Sequence, residues 1–125
     1  MNKRLILTTL LFAFILTSCS KRANKLSECD QLVTVDLVNF QTAPEDQMNI
    51  NSIDLDGHCL SVNFSASGCD GDSWVVRLID AGFVLESNPP QRNLKFSLKN
   101  DELCEAYITK EVSFDIRELQ TSGNV

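Results

Sequence analysis

Cys59-Leu60-Ser61-Val62-Asn63-Phe64-Ser65-Ala66 is the stretch on which the fold turns. Leu60, Val62, Phe64 and Ala66 fall on one side of an extended chain, with Ser61, Asn63 and Ser65 on the other. That period of two is what a half-buried antiparallel strand requires. The alternation recurs downstream, in Leu94, Phe96 and Leu98 against Lys95, Ser97 and Lys99, and in Val112, Phe114 and Ile116 against Ser113, Asp115 and Arg117. Leu32 to Phe40, Ile50 to Leu55 and Ser73 to Leu85 are less regular strand candidates. The last has Trp74, Val76 and Leu78 on one side and Val75 and Ile79 on the other, so it belongs near the centre of a sheet. Asp56-Gly57 is a hairpin signal, and Gly68 to Asp72 and Ser87-Asn88-Pro89-Pro90 are further turns. Helical character is confined to one turn near Ala43 to Met48. The expectation is an all-β chain, a small antiparallel, immunoglobulin-like β-sandwich of six or seven strands following an N-terminal signal helix.

Upstream of these strands the chain changes character. Lys3-Arg4 precedes twelve residues, Leu5 to Leu16, that are apolar except for Thr8 and Thr9; Thr17-Ser18-Cys19 follows. This is the layout of a secretory signal, and it is far short of the roughly 20 apolar residues that span a bilayer. Leu16-Thr17-Ser18-Cys19 resembles the lipobox of bacterial lipoproteins, which implies diacylglycerol on the Cys19 sulfur and Cys19 as the mature N-terminus. Two or three acyl chains such as palmitate hold a protein to a membrane stably. By resemblance to enterobacterial sorting, Ser20 rather than Asp after the Cys implies the outer membrane. Basic Lys21-Arg22 differs from the acidic surface-export signals of Bacteroidota lipoproteins, so the periplasmic face is expected. The domain reading is residues 1–18 signal peptide, 19–28 lipidated N-terminus and tether, and 29–125 a single β domain. Removing 18 of 125 residues leaves 107, room for one domain. Of 11 Lys and Arg, two lie in the signal, which leaves nine against 17 acids, a net of −8. Such a chain lacks the clustered cations that nucleic-acid binding needs.

Of five Cys, setting Cys19 aside leaves Cys29, Cys59, Cys69 and Cys104, an even set that makes two disulfides in any of three connectivities. Cys104 shares its parity with Ala106, Ile108, Val112 and Phe114 and is expected to point into the core, whereas Cys69 lies in a turn. Paired sulfurs are neither nucleophiles nor zinc ligands, and the Cys-x2-4-Cys spacing of a structural zinc site is absent.

Cys59-Leu60-Ser61-Val62, Ser67-Gly68-Cys69, Ser87-Asn88-Pro89-Pro90-Gln91, Cys104-Glu105-Ala106-Tyr107-Ile108 and Phe114-Asp115-Ile116, in this order, resemble a group of small lipoproteins of Bacteroidota. The resemblance covers about residues 50 to 119. It implies a Cys69–Cys104 disulfide, which leaves Cys29 with Cys59, and it brings no activity with it. The group's turn reads Ser-Gly-Gly-Cys with a His three positions on; here Ala66-Ser67-Gly68-Cys69 has one Gly, and the later position is Asp72.

His58 is the only histidine. A catalytic role would need a nucleophile and an orienting acid, for which Ser61, Ser65 and Asp56 are the nearest names; as the residue after Asp56-Gly57 it reads first as an exposed turn residue. Asp54 with Asp56 and Asp70 with Asp72 read first as solvated acids, with Asp70 and Asp72 the candidate oxygen ligands for Ca²⁺. Trp74, the only tryptophan, is either a sugar-stacking platform beside that turn or a core residue against the Cys69–Cys104 bridge. Asn63-Phe64-Ser65 matches a glycosylation pattern but lies within a strand. The chain is therefore expected to be a lipid-anchored envelope module that binds an envelope protein or glycan, or serves structurally. No catalysis, cofactor or nucleic acid is expected. The alternatives are a Ca²⁺- or glycan-binding module at Asp70, Asp72 and Trp74, and a small hydrolase using His58.

Overall fold

The alternating segment forms the backbone of one of two packed sheets. The computed structural model describes residues 28–120, so the readings on the signal segment, on Cys19 and on the tether up to residue 27 lie outside the described residues. In chain order the elements are β1 (Gln31–Leu32), β2 (Thr34–Val35), α1 (Leu37–Thr42), β3 (Asn49–Asp56), β4 (Cys59–Gly68), β5 (Val75–Leu85), β6 (Gln91–Lys99) and β7 (Ala106–Asp115), closed by a 3-10 turn at Arg117–Leu119. One sheet has the order β1-β7-β4-β3 and the other β2-β5-β6. The chain is an all-β sandwich, and β5, apolar on both sides, is the central strand of its sheet.

Val62, Phe64 and Ala66 of β4 meet Leu78 of β5, Leu98 of β6 and Val112 and Phe114 of β7 in the core. An aromatic row runs through it: Trp74 to Phe64 at 5.9 Å between ring centroids, Phe64 to Phe96 at 5.0 Å and Phe96 to Phe114 at 6.1 Å. These are the tilted and edge-on distances that aromatic quadrupoles favour. The β3–β4 hairpin turns at Gly57-His58, with Gly57 at φ +60°, as Asp56-Gly57 foretells.

Three expectations need correcting. The sheets are mixed rather than purely antiparallel: β3–β4, β4–β7 and β5–β6 are antiparallel, but β1 runs parallel to β7 and β2 parallel to β5. The cause is a segment that changes sheets within five residues, because buried Val33 inserts between the layers while its N–H donates to the Asp115 carbonyl at 3.1 Å. Leu32 to Phe40 is not a continuous strand. Asp36 caps a helix there, its carboxylate accepting the Asn39 N–H at 2.9 Å, and α1 lies against β5. The turn near Ala43 to Met48 is extended instead: Glu45 bridges Leu98, and the Ser97 hydroxyl donates to the Pro44 carbonyl at 2.7 Å. This run meets the outer edge of β6 at Leu98, where the Asp46 N–H donates to the Leu98 carbonyl at 3.0 Å. Strand β3 has no counterpart in the narrower facing sheet, and all eight of its residues are exposed.

Candidate functional site

Strand β4 separates His58 from the acidic turn at Asp70 and Asp72, while Asp56 and Ser61 stay within three residues of the histidine. His58 enters it and Asp70 follows it, and 10 residues at about 3.3 Å each put roughly 30 Å between the two ends. His58 is half-buried rather than an exposed turn residue, because Cys29, bonded to Cys59, brings the N-terminal segment over it. Its Nε2 is buried and finds no hydrogen-bond partner among the described residues. A ring nitrogen of His58 and the sulfurs of Cys29 and Cys59 lie within 4.8 Å of one another, but the sulfurs are bonded to each other and offer no thiolate to a metal. Of the serines named with it, Ser65 is engaged by Asn51 at 2.8 Å and by Thr109 at 2.7 Å.

At the other end, Asp70 Oδ1 accepts the Asp72 N–H at 2.8 Å, and Asp72 Oδ1 pairs with Lys110 Nζ at 3.1 Å. The same ammonium sits 5.7 Å from the centroid of the Trp74 ring. Trp74 is thus half-buried between Lys110 and Phe64, and its Nε1 is buried without a partner among the described residues. Gly71 makes this closeness workable: at φ +74°, a Cβ there would stand 2.7 Å from Lys110 Cε and 3.1 Å from Trp74. The disulfides are Cys29–Cys59 and Cys69–Cys104. Cys104, expected in the core, is exposed because β7 begins only at Ala106, and the inward parity does not extend back to it.

The residue that organises this end is Glu102, which nothing in its local sequence marks. Its Oε1 accepts the N–H groups of Cys69 at 2.6 Å, Asp70 at 3.1 Å and Gly71 at 2.9 Å, and its Oε2 accepts the Ser73 hydroxyl at 2.6 Å. The turn is a nest of amides closed around an internal carboxylate. The Ser73 hydroxyl first, then the Gly71, Cys69 and Asp70 amides, hold its pKa down to about 2 from an ordinary 4.5. A depressed carboxylate contributes stability that is whole above its unfolded value and lost as pH falls toward the folded one. Between pH 4.5 and 2, acid destabilisation should therefore be steeper in the natural protein than in Glu102→Gln. Denaturation midpoints across that range check this, and parallel curves would refute it.

A groove of about 310 Å³ lies beside the same end of the sandwich, lined by Asp46, Gln47, Met48, Asn49, Ser65 to Ser67, Asn100 and Tyr107. Its walls come from four separate stretches of chain. Asp46 Oδ2 accepts the Asn100 N–H at 2.7 Å, Asn100 Nδ2 donates to the Ser67 carbonyl at 2.7 Å, and Asn49 Nδ2 donates to the Tyr107 hydroxyl at 2.9 Å. Tyr107 is 64% exposed. Sequence reasoning did not single it out, although its parity with Thr109 and Glu111 marks it as the lone aromatic on an otherwise polar strand face. That face continues the groove: Asn51 donates to Asn63 at 2.9 Å and to Ser65 at 2.8 Å, and Asn63 reaches Glu111 at 3.4 Å.

No known family model, curated protein or solved structure matches this chain. Two features stand side by side at this end of the sandwich: a turn closed around the Glu102 carboxylate, and an open groove of amides and hydroxyls with one aromatic ring.

Proposed function

We propose that the chain is a lipid-anchored module of the cell envelope that binds a ligand or partner without transforming it. Acyl chains on Cys19 hold it to the outer membrane, on the periplasmic face. The observation that favours the non-catalytic reading is the separation across β4, which sets His58, the only histidine, at the opposite end of the strand from the acidic turn at Asp70 and Asp72. The sulfurs of Cys29, Cys59, Cys69 and Cys104 are all bonded in pairs and supply no nucleophile either. The lipobox at Leu16 to Cys19 and the resemblance of residues 50 to 119 to Bacteroidota lipoproteins support the anchor. For the Ca²⁺ or glycan reading at Asp70, Asp72 and Trp74, Lys110 would first have to leave both Asp72 and the indole face.

Membrane fractionation of Cys19→Ala tests the anchor. The natural protein is expected in the membrane pellet and the variant in the soluble fraction. Retention of the variant in the pellet would overturn acylation at Cys19. The intact mass of the membrane form should equal residues 19–125 plus acyl chains, and should rise by four hydrogens when both disulfides are reduced.

A further inference from the structure

We propose that the groove at Tyr107 binds a neutral, hydroxyl-rich ligand, a short saccharide, with the Tyr107 ring as its stacking platform; this rests on the binding-module reading and names its ligand class. The lining has no Lys, Arg or His, so it offers nothing to neutralise a phosphate or carboxylate. Its one acid, Asp46, has an oxygen committed to the Asn100 amide. The Asn100 side-chain amide is likewise committed, to the Ser67 carbonyl and the Glu102 N–H, and what remains are groups that donate and accept in turn, the side-chain amides of Gln47 and Asn49 and the hydroxyls of Ser67 and Tyr107. Sugar hydroxyls have the same dual character. A site built to hydrogen-bond hydroxyls discriminates against ligands that lack them, because its polar groups would be left unpaired.

The aromatic ring supplies the other half of saccharide recognition, a flat apolar face for the C–H side of a pyranose. Tyr107 is the exposed aromatic of this groove, and its hydroxyl is oriented by Asn49, so the ring is positioned before any ligand arrives. Trp74, the other candidate platform, has Lys110 over its ring and Phe64 against it. At about 310 Å³ the groove is at the small end of ligand sites, suited to a short saccharide and too small for a folded domain. Beyond it the row Asn51, Asn63, Ser65 and Thr109 is already hydrogen-bonded across three strands and extends the polar surface along which a longer chain could lie. Such preorganised amides lose little freedom on binding.

The test is a titration of the ¹⁵N-labelled protein, residues 19–125, with cellohexaose, maltohexaose and chitohexaose, recording amide shifts and analysing the sugar afterwards. The expected result is that one of these moves the signals of Asn49, Ser67, Asn100 and Tyr107 with millimolar or tighter affinity. Tyr107→Ala should weaken that binding by about tenfold or more, and Tyr107→Phe by less, since the ring remains. Tyr107→Ala is at an exposed position, and its spectrum reports directly whether the fold persists. Shifts centred on Trp74 and Asp72, binding of basic peptides but none of the sugars, or no response to any sugar would each overturn the proposal. Those outcomes leave the anchored-module reading standing. Cleavage of a bound sugar would instead end the non-catalytic reading while keeping the groove.

Discussion

Cys69→Ala and Cys104→Ala are each expected to lower the unfolding free energy by about 4 kcal/mol, and the double variant by no more than either alone. The figure follows from the 35-residue separation of the two sulfurs in the chain-entropy description of a cross-link. Non-additivity follows because either substitution removes the same bond. The cost is concentrated at one end of the molecule. The disulfide joins the turn after β4 to the segment that carries Glu102, and Glu102 in turn holds the Cys69, Asp70 and Gly71 amides. With the bridge gone, the carboxylate must hold the turn alone, so the steep acid dependence below pH 4.5 should begin from a lower plateau. Both sulfur-bearing residues are exposed here, whereas Cys29 is buried. A water-soluble dithiol should therefore open Cys69–Cys104 before Cys29–Cys59. Urea unfolding of the three variants and peptide mapping after partial reduction check these points. Additive losses, or first reduction of Cys29–Cys59, would contradict them.

What could be read in the sequence was whatever repeats locally. The alternation at residues 59–66, 96–98 and 112–116 names the inward residues that form or pack against the core, because a strand's side-chain period is two whatever lies around it, whereas Leu94, expected on the same face, is exposed. The Asp56-Gly57 turn was legible for the same reason. What was hidden depends on partners distant in sequence or on a local cap. Helix α1 starts at the Asp36 cap, whose carboxylate accepts both the N–H and the side-chain amide of Asn39, inside a run whose apolar content also suits a strand. The outward position of Cys104 could not be had by extending the parity of β7, since parity holds only while the strand lasts. Glu102 is unremarkable until the turn 31 to 33 residues upstream presents its amides. The groove is assembled from residues 46–49, 65–67, 100 and 107, a set with no spacing to search for. His58 illustrates the converse: as the only histidine it draws a catalytic reading, and the fold sets it a strand's length from Asp70 and Asp72.

Arg92→Met is expected to cost about 3–5 kcal/mol, although Arg92 lies at the edge of the sandwich and contacts neither groove nor turn. The reason is Asp80, whose side chain is fully buried on β5 and whose Oδ1 takes Arg92 Nη1 at 2.9 Å and the Gly82 N–H at 2.7 Å. Its Oδ2 has no hydrogen-bond partner among the described residues. The guanidinium of Arg92, whose side chain is 24% exposed, is thus the principal compensation for a carboxylate removed from water. Taking it away leaves a buried charge with one amide for support, and an uncompensated buried ion costs more than its pair contributes. The register slip of β5 against β6 between Asp80 and Val84 explains why the acid is there: the bulge turns the chain so that Gly82, at φ +87°, can present its N–H to Asp80. The pair therefore fixes the bulge as well as neutralising itself. It follows that Arg92→Met combined with Asp80→Leu should recover much of the loss, because the apolar pair has no charge to strand. Asp80→Leu alone should be milder than Arg92→Met, since Arg92 can turn to solvent. Chemical denaturation of the three variants decides it. If Arg92→Met costs under about 1 kcal/mol, as an exposed pair would, then Asp80 is compensated by something other than Arg92.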